Sequence, residues 1–205
     1  MNRKFKKYFG ATKFKRLFDI VLSFTALIVL SPLFLIICIA NLFTPDTIVF
    51  FSHERRGRRG KPFKIYKFQT MRNNTPNVAT GLLENPEQYI TKVGRFLRKT
   101  SLDELPQLWN ILKGDMSFVG PRPLISSEMR AHRLRLEYGV YRFRPGLTGM
   151  AQINGRDEIS LMKKVKYDKL YCDNWSLKLD FVILLRSVGV TLKQEGFREG
   201  MVHRI

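Results

Sequence analysis

The sequence predicts an α+β fold: a re-entrant membrane helix-break-helix, followed by a mainly helical cytosolic domain with a small β element and interfacial amphipathic helices. Three observations support this prediction. Segment 20–45 contains no charged side chain. The 205 residues carry 36 Lys and Arg against 17 Asp and Glu, a net charge of +19 that favours anionic partners. After residue 46, two short strand patterns precede a series of helical ones. We therefore expect a basic segment at the membrane surface (1–19), a membrane hairpin (20–45) and one cytosolic domain (46–205).

Segment 20–45 is long enough to cross a bilayer, because 26 residues at about 1.5 Å each extend to about 39 Å. Both of its flanks are basic, however, and basic flanks favour the cytoplasmic side. A single span would leave one flank on the wrong side, whereas a hairpin keeps both there. Ser31 and Pro32 lie in the middle, and proline breaks a helix because it has no backbone N–H. The sequence therefore predicts a re-entrant hairpin broken at Ser31 and Pro32, with a proline-kinked transmembrane helix as the alternative.

The domain that follows combines short β patterns with longer helical ones. Alternating apolar and basic side chains at 63–68 predict a strand, and Gly114 ends a helical pattern. The last helix is so apolar that it belongs either to the core or to the lipid interface. In chain order, the predicted elements are a strand at 47–51, a turn at 57–60, a strand at 63–68, a loop at 72–86, helices around 93–97 and 105–112, and helices at 157–171 and 177–194.

The stretch SLDELP at 101–106 is the most informative for chemistry. Proline fits only the first turn of a helix, so a helix should begin near Asp103, with Asp103 and Glu104 at its positively polarised end. One interpretation is structural, because Asp is a favoured N-cap and Ser101 with Glu104 fits a capping box. The other is functional: the helix end keeps Asp103 ionised as a nucleophile, while N–H groups and arginines attract a phosphate. The sequence alone leaves both open.

Arginines near this stretch favour the functional interpretation. Arg95 and Arg98 lie just upstream, Arg122 stands between two prolines, and Arg144 precedes a Pro-Gly turn. Guanidinium groups make bidentate contacts with phosphate oxygens, and flanking prolines stiffen the backbone that presents them. A surface arginine without a ligand is the ordinary alternative for each one taken alone. Their combination predicts a site for a phosphorylated substrate.

Six motifs extend this pattern over most of the chain from about residue 13. They are KRLFD at 15–19, Ser31-Pro32, KIYKFQTM at 64–71, SLDELPQ at 101–107, GDMSFVGPRP at 114–123 and RPGLTG at 144–149. In this order they resemble the bacterial sugar transferases, the monotopic polyprenol-phosphate phosphoglycosyl transferases. The resemblance is specific because six motifs occur in the family's order, whereas any one alone would be weak.

The resemblance implies transfer of a sugar 1-phosphate from a UDP-sugar to undecaprenyl phosphate with Mg²⁺. Asp103 would be the nucleophile that forms a phosphosugar-aspartyl intermediate, and Glu104 would complete the dyad. Asp168 would join both carboxylates in holding the metal. The phosphate-binding residues that the resemblance implies are Lys67, Arg98, Arg122 and Arg144.

The resemblance also implies a place for the protein: the cytoplasmic face of the bacterial inner membrane, in the first membrane step of polysaccharide or glycoconjugate synthesis. The expected partners are the nucleotide sugar, undecaprenyl phosphate and anionic lipid, with a homo-oligomer possible and no nucleic acid. The rival hypothesis is a non-enzymatic, membrane-anchored basic protein that binds acidic lipid or nucleic acid. It explains the net charge but leaves the acidic pair at 103–104 unexplained.

Overall fold

The computed structural model describes residues 3–76, 83, 85–156 and 158–193, with side chains from Thr12 onward. It is an α+β structure, as the sequence predicts. Its helices are α1 (Arg3–Val29), α2 (Ser31–Leu42), α3 (Lys92–Thr100), α4 (Gln107–Lys113), α5 (Met129–Glu137), α6 (Leu161–Asn174) and α7 (Leu177–Lys193). Its strands are β1 (Phe50–Arg56), β2 (Pro62–Phe68), β3 (Ser117–Val119) and β4 (Gly146–Thr148).

The break between α1 and α2 falls at the predicted Ser31-Pro32. The two helices are bent by 60° relative to each other, and Pro32 occupies the first turn of α2. The Ser31 hydroxyl donates a hydrogen bond to the carbonyl oxygen of Ile28 at 2.7 Å, which satisfies a backbone group near the break. No single helix among the described residues is long and apolar enough to cross a membrane, but the bent pair meets those criteria together.

The helix pair packs its inner face on the rest of the chain. Leu27 and Phe34 contact a core cluster that includes Ile65 and Ile111, while Ile37 packs with Phe68. The opposite face is apolar and exposed, at Phe24, Val29, Leu35, Ile36 and Leu42. The hairpin therefore has one face in the protein core and one that the protein leaves uncovered.

The described part of the chain that follows the helix pair contains two small, two-stranded sheets. β1 and β2 form an antiparallel hairpin in which Phe50 pairs with Phe68, joined by a turn at Arg58–Gly60. The predicted strand at 47–51 was placed too early, because Thr47 instead donates hydrogen bonds to the carbonyls of Asn41 and Thr44 at the end of α2. The second sheet, in which β3 and β4 pair in parallel, was not predicted from the sequence.

The helical predictions are largely confirmed, with shifts at the ends. α3 and α4 occupy the predicted places, and Gly114 ends α4 at a φ of 103°. α6 begins at Leu161 rather than 157, because the Ser160 hydroxyl accepts a hydrogen bond from the amide of Lys163 and caps the helix there. The predicted loop at 72–86 lies partly outside the described residues, as do the predicted ends at 157 and 194. α5 was not predicted from the sequence.

α7 contributes one face to the core and exposes the other. Ile183 is fully buried with Val119 and Tyr171 in one core cluster. Phe181, Leu185 and Val188 lie on the opposite side and are more than half exposed, at 59–60%. Such a helix has one apolar face for the core and another that remains uncovered.

Candidate active site

The acidic pair lies in a short turn between α3 and α4. The turn is a 3₁₀ segment at Leu102–Glu104, preceded by Ser101 in the left-handed conformation with φ 58°. A helical turn thus begins next to Asp103, with both carboxylates in its first turn as predicted, but it is of the 3₁₀ type, and the α-helix α4 begins only at Gln107, with Pro106 as its N-cap. The Ser101 side chain makes no capping hydrogen bond, and the capping-box interpretation therefore fails.

Lys67 of β2 joins the two carboxylates. Its ammonium nitrogen lies 2.7 Å from Glu104 Oε1 and 3.4 Å from Asp103 Oδ2. The three side chains are mostly buried, with exposed fractions of 22% for Lys67, 11% for Asp103 and 14% for Glu104. Arg122 lies near the same oxygen as Lys67, with Nη2 3.6 Å from Glu104 Oε1. The structure thus brings together four of the residues that the sequence predicted.

Asp103 has a raised pKa. Burial is the main cause, because it removes water from the carboxylate, and the neighbouring charge of Glu104 adds to the effect. Lys67 and Arg98 act in the opposite direction and favour the ionised form. Lys67 and Arg98 therefore supply positive charge that partly offsets burial, and the longer α-helix α4 begins only at Gln107.

Glu104 behaves differently although it is the next residue. Burial disfavours its charged form, but Lys67, Arg122 and Arg156 together outweigh burial and lower its pKa to about 2. The two carboxylates are therefore electrostatically distinct: one is held firmly ionised, and the other is desolvated with less compensation. Unequal environments of this kind assign different roles to paired acids.

Asn110 fixes the position of β2 against the acidic turn. Its side chain is fully buried; Oδ1 accepts from the amide of Tyr66 at 3.1 Å, and Nδ2 donates to the carbonyl of Lys64 at 2.7 Å. The amide thus imitates a neighbouring strand along the edge of β2. Lys67 follows directly in that strand, so α4 sets the register in which Lys67 meets the dyad. The sequence contained no signal for this contact.

Arg156 is a second residue that the sequence analysis missed. Its guanidinium donates to the Ser101 hydroxyl at 3.1 Å and lowers the pKa of Glu104. The chain turns sharply at this point, because Gly155 has a φ of 121° and Arg156 itself has a φ of 44°. The Asn154-Gly155 dipeptide is a turn signal that could have drawn attention to this arginine.

The other two predicted residues have different surroundings. Asp168 of α6 is buried and pairs with Arg135 of α5. The described residues include no group of three or more His, Cys, Asp or Glu side chains that could hold one metal ion. Arg144 donates through Nε to the carbonyl of Gly114 at 2.8 Å, at the C-terminal end of α4, whereas the dyad precedes the N-terminal end.

The family follows from comparison with known proteins. Residues 10–194 match the model of the bacterial sugar transferase family, which is most of the chain. The chain therefore belongs to that family, as the six motifs indicated. This membership places the chain in the class of the phosphoglycosyl transferases, which are enzymes.

Three relatives illustrate the range of the family. The exopolysaccharide production protein ExoY of Sinorhizobium fredii is 40% identical over 197 residues, which cover 89% of this chain and 87% of that protein. The undecaprenyl-phosphate galactose phosphotransferase of Salmonella typhimurium is also 40% identical, over 41% of its length. The UDP-glucose:undecaprenyl-phosphate glucose-1-phosphate transferase of Escherichia coli is 40% identical over 182 residues, 85% of this chain and 39% of that protein. The chain thus matches nearly all of the first relative and about two fifths of the other two.

Proposed function

We propose that this chain transfers a sugar 1-phosphate from a UDP-sugar to undecaprenyl phosphate through a phosphosugar-aspartyl intermediate on Asp103. The observation that carries the proposal is the buried acid pair bridged by Lys67, with Arg122 beside it. A carboxylate can attack a phosphate only where cations offset the repulsion between the two. The names of two relatives supply the substrates, since those proteins transfer galactose or glucose phosphate to undecaprenyl phosphate. No finding favours the non-enzymatic alternative.

In the first half-reaction, a carboxylate oxygen of Asp103 attacks the β-phosphorus of the UDP-sugar. The new oxygen–phosphorus bond forms as the bond between that phosphorus and the bridging oxygen breaks, and UMP leaves with the electron pair. Burial suits Asp103 to the attack because a poorly solvated carboxylate gives up little hydration on reaching phosphorus. Lys67 and Arg98 lower the pKa of Asp103 against the effect of burial and so favour the ionised form that attacks.

In the second half-reaction, an oxygen of undecaprenyl phosphate attacks the phosphorus held on Asp103. The bond to Asp103 breaks, the carboxylate is restored, and undecaprenyl diphosphate sugar is the product. Two steps allow the soluble nucleotide to leave before the lipid enters, so one site serves both substrates. This is a first membrane step for polysaccharide or glycoconjugate synthesis.

Cations around the dyad have separate roles in this proposal. Lys67, Arg98 and Arg122 bind the phosphates, and Arg144 joins them on the family resemblance alone. Asp103 and Glu104 would hold Mg²⁺, and two adjacent carboxylates suit it because Mg²⁺ takes oxygen ligands and commonly shares substrate phosphates. When bound, the metal would neutralise the charge of the diphosphate.

The hairpin of α1 and α2 gives the proposed place of the reaction. We propose that it enters the cytoplasmic face of a bacterial inner membrane and returns, because the helices are bent by 60° and their outer faces are apolar. The basic flanks would bind anionic lipid on that side. The exposed face of α7 would lie at the lipid interface.

The proposed intermediate can be trapped by omitting the lipid acceptor. Incubation with UDP-galactose or UDP-glucose and Mg²⁺ should add one hexose phosphate to the intact protein by mass spectrometry, and peptide mapping should locate it on Asp103. Asp103→Asn should show neither the adduct nor UMP release, because an amide cannot act as this nucleophile. Asp173→Asn on the exposed face of α6 serves as the control and should match the parent. Product formation by Asp103→Asn would defeat the assignment.

The topology can be tested separately with cysteine labelling. In a background with Cys38 and Cys172 replaced by serine, we would introduce cysteine at Lys4 or at Arg58, one on each side of the hairpin. Both should be shielded from a membrane-impermeant thiol reagent added outside the inner membrane and should react once the membrane is opened. Labelling of either position from outside would contradict the hairpin.

A further inference from the structure

A closed ion pair lies behind the loop that carries Arg122. Arg135 of α5 and Asp168 of α6 have side chains that are only 2% and 1% exposed, and Arg135 Nη2 donates to Asp168 Oδ2. The other terminal nitrogen, Nη1, donates to the backbone carbonyl of Arg122 at 2.7 Å. One guanidinium thus connects a buried carboxylate with the backbone of a residue that faces the dyad.

Burial of this ion pair costs free energy, which a contribution to the fold or to the active site would offset. Two charges removed from water lose hydration that their mutual attraction only partly restores, and an apolar pair of similar size would often be as stable. Asp168 is also engaged with Arg135 rather than grouped with the dyad, since the described part of the chain has no three-ligand acidic cluster. The contacts of Asp168 therefore suit an indirect role, exerted through Arg135.

We propose that Arg135 and Asp168 are positioning residues that hold the backbone of Arg122 so that its guanidinium reaches Glu104 and the substrate diphosphate. This inference rests on the proposed function and assigns Asp168 a role other than the metal ligation that the family resemblance implies. Asp168 orients the guanidinium of Arg135, and Arg135 fixes the carbonyl of Arg122.

The loop geometry favours this role. Pro121 and Pro123 restrict the backbone on both sides of Arg122, so a contact with its carbonyl also restrains the direction of its side chain. α5 holds the same loop at a second point, where the His132 ring nitrogen Nε2 lies 2.8 Å from the carbonyl oxygen of Ile125. Arg135 is one turn further along α5, so this single helix contacts the loop at two points.

The test replaces the pair together, because either single change leaves an unpaired buried charge. The variant Arg135→Met/Asp168→Leu keeps the volume apolar, and its thermal unfolding verifies that it folds. The matched control is Lys169→Met/Asp173→Leu, which removes a neighbouring but exposed pair on α6. Hydrogen–deuterium exchange should become faster in the peptide covering 120–128 for the buried-pair variant and remain unchanged for the control. Unchanged exchange would overturn the proposal even if the protein transferred no sugar.

Kinetics then separate positioning from a general loss of stability. The buried-pair variant should lose about 10- to 100-fold in kcat for UMP release, because displacement of a binding group by about 1 Å has effects of this size. In an Arg122→Met background the same double change should cost less than about 3-fold, since the group that it positions is already gone. Equal losses in both backgrounds would overturn the proposal.

Magnesium dependence distinguishes positioning from metal ligation. The Mg²⁺ concentration for half-maximal rate should be unchanged, within about 2-fold, between the parent and the buried-pair variant. A rise of about 10-fold or more would identify Asp168 as a metal ligand and overturn the positioning role. Absence of turnover in the parent would defeat the proposed function, whereas the exchange measurement would still decide the role of the pair.

Discussion

Two clusters of buried charge in this protein have opposite designs. The pair of Arg135 and Asp168 is balanced one to one and is almost completely closed, at 2% and 1% exposed. At the dyad, two carboxylates share Lys67, and the three side chains keep 11–22% of their surface open. A pair this closed is inaccessible to a ligand. An open cluster with unequal carboxylates can still accept a substrate phosphate, which fits the proposed positioning role of the closed pair and the proposed reacting role of the dyad.

Removal of Lys67 should have the largest effect on this comparison. Lys67→Met leaves both carboxylates without their shared cation, and we expect a loss of about 10²- to 10³-fold in kcat, as for other preorganised charges. Lys67 lowers the pKa of Asp103, so that pKa should rise further in the variant, and the acid limb of the pH–rate profile should move to higher pH. Lys169→Met is the control. An acid limb that stays in place would contradict the role of Lys67.

Acid unfolding should distinguish the two carboxylates of the dyad. The pKa of Glu104 is depressed from 4.5 to about 2, so its stabilisation is present above pH 4.5 and is lost as pH falls through about 2. The free energy involved is at most about 3 kcal/mol. Asp103 has a raised pKa and contributes in the opposite direction, favouring the fold at low pH. Chemical denaturation between pH 5 and 2 should therefore show a smaller decline in Glu104→Gln than in the parent; equal declines would refute the assignment.

The contribution of β2 can be sharpened with two buried asparagines. Asn110→Ala and Asn41→Ala each remove buried hydrogen bonds to backbone groups near β2, and each should lower the free energy of unfolding by about 1–3 kcal/mol. Only Asn110→Ala should also lower kcat, by about 10-fold, because Asn110 bonds to the residues that precede Lys67. Urea denaturation and UMP release measure the two effects. Similar kinetic losses in both variants would remove the special role of Asn110.

The exposed pair of Lys169 and Asp173 should give the smallest effect. Its side chains are 43% and 53% exposed, and water screens an interaction of this kind. Lys169→Met/Asp173→Leu should leave both the free energy of unfolding and the rate of transfer unchanged. A larger loss of transfer rate than in Arg135→Met/Asp168→Leu would reverse the comparison between the closed pair and the exposed one.

The sequence predicted much of the fold where the cause is local. Pro32 breaks the hairpin because it lacks a donor, alternation marks β2, and Gly114 ends α4 in a conformation that glycine adopts without strain. It was less successful at α5, whose apolar positions are few, and at β3 and β4, which are three residues each. Short elements of this kind carry too little periodicity to be recognised.

The candidate site divides in the same way. The sequence located Asp103, Glu104, Lys67 and Arg122 through motifs, but it did not identify Lys67 and Arg98 as the cations that favour the ionised form of Asp103. It overlooked Arg156 despite the turn signal of Asn154-Gly155. It missed Asn110 and Arg135 because a buried amide or guanidinium has no distinctive neighbours in sequence. These residues become recognisable only when their partners are known.

The sequence by itself determined where the chain bends, which segments are apolar and which residues can carry phosphate chemistry, because those properties depend on adjacent covalent structure and on composition. The tertiary structure alone decided the pairing: Lys67 with a dyad 36 and 37 residues away, and Arg135 with Asp168 at a separation of 33. Charges so far apart in sequence acquire their energies only when packing removes water and brings them within a few ångströms. Packing enclosed the pair of Arg135 and Asp168 almost completely, whereas it left the cluster of Lys67, Asp103 and Glu104 partly exposed.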